Sequence, residues 1–223
     1  MDFEIIFSDD NLLAVNKPSG LLTIPDGYHP ELPCAVDLLR KNFGQMWVVH
    51  RLDKETSGVL LFARNARTHK FLNEQFQNRQ VQKIYRAIIV GCPDWDHKEI
   101  NLPLKVDGDR QHRTKVDPHN GKPSQTDITV ITRFPGYSFV EARPHTGYTH
   151  QIRAHLTASG FPILSDSLYD RNSSVHTSIL SRLGLHAYQI SLALPDSANP
   201  ITITAPYPDE FEAALTRLGR LNN

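Results

Sequence analysis

A short apolar run at 59–63, VLLFA, limits what this chain can fold into more than any other feature. The run is continuous, so it lacks the spacing of an amphipathic helix, and it is too short for a buried one. It therefore predicts a buried strand. The polar block HRLDKETSG at 50–58 comes immediately before it, and a plain turn into a strand does not need so many charged residues.

Other segments extend this pattern into an α+β fold. Strands are predicted at 4–7, 12–16, 83–90, 125–133, 138–142, 185–194 and 201–205, and helices at 35–42, 66–79, 149–159 and 208–218. The polar segment 93–124 predicts either a loop excursion or a hairpin over a cleft. Because no linker divides the chain, we expect one domain over residues 1–223, built on a mixed, mainly antiparallel sheet with flanking helices and loops.

Composition and charge place the protein in a broad class. The 24 basic and 24 acidic residues cancel, which argues against binding nucleic acid by bulk charge but leaves room for a local basic cleft. The two cysteines have no metal-finger or redox spacing, and no apolar run of the sequence reaches membrane-spanning length. We therefore expect a cytoplasmic protein with no membrane partner.

The polar block at 50–58 is a candidate site. If residues 51–53 are extended, Arg51 and Asp53 point the same way while Leu52 points into the core. A neighbouring arginine favours the ionised form of an aspartate, which can then act as a nucleophile, a general base or a metal ligand. The alternative is a structural ion pair that caps the loop.

A second polar block, RPHTGYTHQIRAHL at 143–156, raises the question of a metal site. Its histidines, His145, His150 and His155, are five residues apart, a spacing that scatters them over different faces of a helix. This is no familiar ligand spacing, so structural or hydrogen-bonding histidines are favoured and no metal is predicted.

Several segments in order resemble the motifs of the RluA-type pseudouridine synthases. HRLDKETSGVLLFARN is similar to their central motif, KIYRAIIVG to their K-x-Y-x-A strand, and LHAYQISLALP to a late strand. RPHTGYTHQIRAHLTASGFPILSDSLYD resembles their third motif, and DDNLLAVNKPSGLLTIP resembles the start of their domain. The resemblance extends over almost the entire chain.

This resemblance implies an enzyme that isomerises uridine in RNA to pseudouridine without a metal or cofactor. The N1–C1′ bond is cut, the uracil rotates, and the base is rejoined through C5. By resemblance the catalytic residues are Asp53 as the essential carboxylate, Arg153 as its ion-pair partner, and Tyr85 against the target base. Whether Asp53 acts on C1′ or on a neighbouring sugar proton stays open, and core packing is the alternative for Tyr85.

The same motifs imply substrate-binding residues and a partner. Arg51 resembles the arginine that enters the space left by the flipped nucleotide, although a surface arginine is the alternative. The other motif residues expected to bind substrate are His50, Thr56, His150, Gln151 and Ile152. Flipping costs least where a base is poorly stacked, so we expect a stem-loop of ribosomal or transfer RNA, bound by a monomer in a cleft across the sheet.

Two positions depart from the family pattern. Tyr148 stands where relatives usually have arginine, and the loss of that cation would either weaken a phosphate contact or alter how the loop is held. Ser165 stands where a glycine is expected, which predicts an unusual backbone angle that serine tolerates less well. Neither change touches the three residues implied in catalysis.

Many relatives have an N-terminal S4 domain that binds RNA, and this sequence leaves no room for one. We therefore expect the catalytic domain alone to bind RNA. Candidate phosphate contacts on the polar excursion are Arg110, His112, Arg113, Lys115 and Lys122. The alternative is a solvated loop whose charges are balanced by Asp107, Asp109 and Asp117.

Two other functions compete with this one. A non-catalytic RNA-binding protein of the same fold would not need a carboxylate facing polyanionic RNA. A carboxylate-dependent glycosidase or nucleosidase usually needs two paired carboxylates. Glu55 is the only acid near Asp53 in the sequence, and an exposed loop charge is expected there.

Overall fold

A computed structural model of the chain describes residues 3–195, 197 and 199–221. Helices and mainly antiparallel strands alternate along these residues, which confirms the predicted α+β class. The chain divides into two compact units, Met1–Lys83 with Ala187–Pro206 and Ile84–His186 with Tyr207–Asn223. One domain over 1–223 and a cleft across the sheet stay predictions, and both ends of that range lie outside the described residues.

The elements follow one another in this order. The strands are β1 (Glu4–Ser8), β2 (Leu12–Lys17), β3 (Trp47–Val48), β4 (Ser57–Ala63), β5 (Gln82–Val90), β6 (His97–Ile100), β7 (Leu104–Lys105), β8 (Lys115–Val116), β9 (Thr126–Phe134), β10 (Tyr137–Pro144), β11 (Leu185–Leu192) and β12 (Ile201–Thr204). The helices are α1 (Ala35–Phe43), α2 (Ala66–Gln77), α3 (Gln151–Ala158) and α4 (Asp209–Arg220), with a 3₁₀ turn at Ser173–His176. Within the described ranges, none of these helices is long and apolar enough to cross a membrane.

The first unit is a sheet in the order β1-β2-β4-β11, with β3 beside β4 and β12 beside β11. Strand β2 runs antiparallel to β4, from Leu12 opposite Ala63 to Lys17 opposite Gly58. Every residue of β4 is buried, as the continuous apolar run predicted. Helix α2 packs Leu72 into the same core, and the side chain of Asn65 caps its first turn.

The second unit contributes the strands β5-β10-β9-β6, in that order, to the ten-stranded sheet, and β7 and β8 pair in a separate small sheet. Strands β9 and β10 form a hairpin whose turn includes Gly136, at a φ of 78° that glycine adopts without strain. Helix α3 packs Ile152 and Leu156 against this sheet, and α4 packs Phe211 and Leu218 into a second core cluster.

The elements agree with the sequence predictions apart from their ends and their shortest members. Helix α3 begins two residues later than predicted because His150 is left-handed, at a φ of 55°. Gly160, with a φ of 87°, follows the last turn as the predicted terminator. The polar excursion at 93–124 contains the paired strands β7 and β8 within a longer loop, and its position over a cleft stays a prediction.

Candidate active site

The polar block at 50–58 forms a loop that leads into β4. The N–H of Thr56 donates to the carbonyl oxygen of Asp53 at 3.1 Å, which closes a turn directly after the aspartate. Leu52 is buried, Arg51 is exposed and Asp53 is half-buried. This pattern agrees with the predicted extended segment in which Leu52 points into the core.

A buried lysine holds this loop from the β2 side. Lys17 is 0% exposed, and its Nζ donates to the carbonyl oxygens of Pro18 at 2.9 Å, Leu21 at 2.7 Å and Lys54 at 3.0 Å. Three bonds match the three donors of an ammonium group, which is costly to bury without them. Since Lys54 directly follows Asp53, Lys17 fixes the backbone beside the candidate carboxylate. Lys17 was not predicted, and its one signal is a charge at the end of a strand whose first four residues are apolar.

Two hydroxyl groups between β2 and α1 bind the same loop. The Oγ1 of Thr23 donates to the carbonyl of Leu52 at 2.9 Å and accepts from the N–H of Leu52 at 3.1 Å. The Oγ of Ser19 donates to the carbonyl of Glu55 at 2.7 Å. The loop is therefore held on both sides of Asp53 by bonds to its backbone.

His50 begins the block and is half-buried, and Thr56, two residues before its last residue, is buried. The Nε2 of His50 accepts from the N–H of Leu61 at 3.0 Å, and its ring stacks on Phe76. Burial, with a smaller effect of the Lys83 ammonium, lowers the pKa of His50 to about 3, so the ring stays neutral and can accept this bond. The hydroxyl of Thr56 is buried and makes no hydrogen bond to the described residues. Substrate contacts of both residues stay predictions.

Gly58 ends the block because no other residue fits there. Its φ is 114°, and a Cβ at this position would lie 2.2 Å from the carbonyl oxygen of Ala187. The chain of the β11 segment therefore passes directly over this glycine, which explains the Ser-Gly step into β4.

In the second unit, Arg153 forms a buried, bidentate ion pair with Asp166. The Nε donates to Oδ2 at 2.8 Å and Nη2 donates to Oδ1 at 2.7 Å. The side chains are 6% and 0% exposed. The guanidinium also lies over the ring of Tyr169, 5.1 Å from its centroid. The sequence did not predict Asp166 as a partner, and the ion pair of Arg153 with Asp53 stays a prediction.

Tyr169 extends this cluster to the polar excursion. Its hydroxyl donates to the carbonyl of Thr114 at 3.0 Å and accepts from the N–H of Thr114 at 2.8 Å. The Oγ1 of Thr114 in turn donates to the carbonyl of Thr149 at 2.6 Å. Burial raises the pKa of Tyr169 to about 12, so the hydroxyl stays protonated and can donate. The excursion is thus bonded to the residues that precede α3.

Gln151 holds the loop before α3 together. Its Oε1 accepts from the hydroxyl of Thr146 at 2.7 Å and the N–H of Tyr148 at 3.2 Å. Its Nε2 donates to the carbonyl of Gln125 and the hydroxyl of Thr126, both at 2.9 Å. The neighbouring Ile152 packs in the core, and the ring of His150 contacts Tyr169 edge-on. In this structure Gln151 and Ile152 are buried, and the substrate contacts predicted for Gln151, Ile152 and His150 stay predictions.

Tyr85 occupies the middle of β5, opposite Ala142 of β10. The ring is half-buried and packs against the core of the second unit. Partial exposure is compatible with both alternatives, a core residue and a residue that lies against a base.

Comparisons with known proteins identify the family of this chain. A family model described as RNA pseudouridylate synthase matches residues 11–158. A dual-specificity RNA pseudouridine synthase RluA from Vibrio vulnificus is 38% identical over 217 residues, covering 94% of this chain and 86% of the relative. A ribosomal large subunit pseudouridine synthase C from Vibrio cholerae is 38% identical over 218 residues, covering 96% and 69%. The chain belongs to the RNA pseudouridylate synthase family.

The solved structures agree with this assignment. Human RNA pseudouridylate synthase domain containing 4 superposes with a TM-score of 0.79 at 26% identity, covering 97% of this chain and 93% of that one. The protein is therefore an RNA pseudouridine synthase, an isomerase, and the resemblance stated from its motifs is confirmed.

The structure shows the surroundings of Ser165 and Tyr148, the two residues that depart from the family pattern. Ser165 has a φ of 57°, the left-handed angle predicted from the missing glycine. Its Oγ donates to the carbonyl of Leu180 at 2.6 Å, a bond that glycine cannot make and that offsets part of the strain. Tyr148 lies half-buried in the loop that Gln151 fixes.

The candidate cations on the excursion are in part neutralised. The Oδ2 of Asp109 accepts from Arg113 at 2.8 Å and lies 3.1 Å from the Nζ of Lys115. His112 lies 2.6 Å from a carboxylate oxygen of Asp107. These contacts support the balanced-loop alternative for three of the five side chains. Arg110 and Lys122 are exposed, so they are the better candidates for phosphate contacts.

The histidines of the second block have separate partners. The ring nitrogens of His155 lie 2.9 Å from the hydroxyl of Thr126 and 3.1 Å from that of Ser124. His145 lies 2.6 Å from a carboxylate oxygen of Asp127. These contacts agree with hydrogen-bonding histidines.

Proposed function

We propose that this synthase isomerises specific uridines in structured ribosomal or transfer RNA, with Asp53 as the catalytic carboxylate. The observation that carries the proposal is the backbone bracing of the Asp53 loop by Lys17, Thr23 and Ser19. A loop held through its backbone keeps the carboxylate in place while leaving its side chain half-exposed to substrate.

The reaction moves one glycosidic bond and leaves the composition of the nucleoside unchanged. The N1–C1′ bond breaks, the uracil rotates, and a C5–C1′ bond forms. The hydrogen of C5 leaves to solvent and N1 gains a proton. In this proposal the carboxylate of Asp53 acts on the ribose of the flipped nucleotide, either at C1′ or at a neighbouring sugar proton.

Other residues are assigned on the strength of the family motifs. Tyr85 lies against the target base and Arg153 accompanies the carboxylate. The exposed Arg51 enters the space left by the flipped nucleotide. The proposal includes a monomeric enzyme that acts in the cytoplasm.

The names of the relatives point to ribosomal RNA and to a dual specificity for RNA. The Vibrio vulnificus relative is called a dual-specificity RNA pseudouridine synthase, and the Vibrio cholerae relative is named for the ribosomal large subunit. Both are 38% identical to this chain, so identity alone favours neither. Ribosomal and transfer RNA are accordingly tested side by side.

The test measures tritium release from RNA labelled at uracil C5. Bulk ribosomal RNA and bulk transfer RNA, from cells lacking this gene, are incubated separately with native protein and with Asp53→Ala. We expect release from at least one pool and a loss of at least about 100-fold in Asp53→Ala, the order of effect of removing a catalytic acid or base.

Glu55→Gln is the matched control on the same loop. It removes a neighbouring carboxylate while keeping the backbone carbonyl that Ser19 binds. We expect it to retain activity. Unchanged release by Asp53→Ala would contradict the assignment of Asp53. RNA binding without release by the native protein would favour the non-catalytic alternative, and hydrolysis of free nucleosides to the free base would favour the nucleosidase.

A further inference from the structure

The most exposed aromatic side chain of the described residues belongs to a short excursion between β2 and α1. Tyr28 is 92% exposed, whereas the other large apolar residues of the first unit that reach the surface, Ile5 and Leu32, are 38% exposed. Burial of an aromatic ring is favourable, so a ring held almost wholly in water contributes little to the stability of the chain itself. Such a residue is a candidate for contact with a ligand.

The backbone that carries Tyr28 is held in a defined turn. The Oδ1 of Asp26 accepts from the N–H groups of Tyr28 at 2.8 Å and His29 at 3.0 Å. The N–H of Leu32 donates to the carbonyl of His29 at 3.1 Å, and Pro30 restricts the chain in between. Because the turn is formed in the free protein, a ligand that stacks on the ring does not have to order it.

Both ends of this excursion are tied to the rest of the first unit. Leu22 pairs with Cys34, and the N–H of Ala35 donates to the carbonyl of Leu22 at 2.8 Å. The next residue, Thr23, makes the two bonds to Leu52 described above. The turn that presents Tyr28 is therefore connected through one short segment to the Asp53 loop.

The charge of Lys54, on the Asp53 loop, also acts on a carboxylate of the turn. The N–H groups of Tyr28 and His29 hold the pKa of Asp26 below its usual value, and the charge of Lys54 acts in the same direction. Lys54 directly follows Asp53 in the sequence. The acids of the turn already have partners, since Asp26 accepts these N–H groups and Glu31 lies 3.3 Å from a ring nitrogen of His29.

We propose that Tyr28 is an RNA-binding residue, whose ring stacks on an unpaired nucleobase next to the target uridine. The charges around the ring favour a base over a phosphate, because Asp26 and Glu31 would repel a phosphate group. Stacking suits any base that is splayed out of a helix, since every base has a flat face. The inference rests on the proposed function, which brings RNA to the Asp53 loop.

The test separates stacking on bases from attraction to phosphates. Binding is measured by fluorescence anisotropy with a labelled oligouridine and with an oligomer of abasic ribose phosphates of the same length. We expect Tyr28→Ala to weaken oligouridine binding about tenfold, within the range known for aromatic stacking. Binding of the abasic oligomer should not change. The salt dependence should stay the same, because no cation has been removed.

Ring-shaped replacements provide matched controls. Tyr28→Phe and Tyr28→Trp keep a flat face and should keep the affinity for oligouridine, whereas Tyr28→Leu keeps apolar surface and should lose it. Val175→Ala removes another exposed apolar side chain, 72% exposed in the second unit, and should have no effect. All of these positions are on the surface, so we expect each variant to fold.

The outcomes distinguish this inference from the proposed function. The role of Tyr28 would be overturned if Tyr28→Ala lost the same affinity for both oligomers or lost affinity for neither. It would also be overturned if the native protein bound oligouridine no more tightly than the abasic oligomer. In that case tritium release, measured independently, would still decide whether the enzyme isomerises uridine. If Tyr28→Ala binds RNA with unchanged affinity, the ring does not stack on RNA, and a protein partner becomes the candidate ligand.

Discussion

The Asp53 loop and the Arg153 segment differ in which of their atoms the neighbouring side chains bind. The loop is fixed through its backbone, by Lys17, Thr23 and Ser19, and the carboxylate of Asp53 stays half-exposed. Arg153 is fixed through its own charged group, which Asp166 occupies from one edge. The bonds to the backbone beside Asp53 are an indirect support, and the bonds of Asp166 to the guanidinium of Arg153 are a direct one.

Removing the direct support of Arg153 should have the largest effect on stability. In Asp166→Ala, the guanidinium of Arg153 stays buried without this carboxylate, and we expect the free energy of unfolding to fall by about 3–5 kcal/mol. Chemical denaturation measures the change. Asp37→Ala removes a half-exposed partner of Arg40 and should cost at most about 1 kcal/mol. Similar values for the two variants would mean that burial does not strengthen the Arg153 pair.

Removing the indirect support of the Asp53 loop should have the second-largest effect on stability. Lys17→Met keeps the length of the side chain but leaves the carbonyls of Pro18, Leu21 and Lys54 without its ammonium. We expect a loss of about 3 kcal/mol in the free energy of unfolding, together with a fall in activity. Lys115→Met, which removes a half-exposed lysine beside Asp109, is the control. If Lys17→Met unfolds like native protein, the loop does not depend on its buried ammonium.

The pH dependence of stability sharpens the comparison, because each region contains a buried histidine. The folded-state pKa of His50 is about 3 and that of His155 is also lowered, in both cases mainly by burial, from an ordinary value of 6.5. The unfolded chain therefore takes up protons first, and stability is present above pH 6.5 and falls as the pH drops below it. Between pH 7 and pH 5 we expect His50 to contribute a loss of about 1–2 kcal/mol and His155 to contribute a loss in the same direction.

Denaturation curves recorded across this pH range provide the check. His50→Asn and His155→Asn should each make the free energy of unfolding less dependent on pH, by the amount that the replaced histidine contributes. The double variant should show the weakest dependence. A pH dependence unchanged in all three variants would mean that neither ring resists protonation in the folded state.

The smallest effect is expected at Ser165, behind the Arg153 segment. Ser165→Ala keeps the strained φ of 57° but loses the bond to Leu180, so we expect a loss of about 1 kcal/mol. Ser165→Gly loses the bond and also relieves the strain, so it should lie closer to the native value. Thermal melting of the two variants tests their order, and a glycine variant less stable than the alanine variant would show that the strain is negligible.

Much of the fold was predictable because its signals are local. The apolar run at 59–63 requires a buried strand, and the helical spacing of Leu72 and Phe76 with the capping residue Asn65 indicates α2. Strand β3 was missed because Trp47–Val48 is too short to show a pattern. The start of α3 was misplaced because no local pattern indicates a left-handed His150.

The candidate site was predictable only as far as its motifs extend. Asp53, Tyr85 and Arg153 were singled out by resemblance, and the strained backbone at Ser165 by a missing glycine. The pairing of Arg153 with Asp166 joins residues 13 positions apart, and the bond from Lys17 to Lys54 joins residues 37 apart. Such pairings depend on how separate segments pack, and residue type alone does not encode them.

The burial of Lys17 gives the loop a chemical reporter. An amine that is 0% exposed and bonded to three carbonyls cannot react with an acylating reagent until the surrounding segment opens. The exposed Lys54, next to the carboxylate on the same loop, reacts without any opening. The ratio of acylation at these two lysines, read by mass spectrometry, therefore measures how often the segment that supports Asp53 comes apart in the native enzyme.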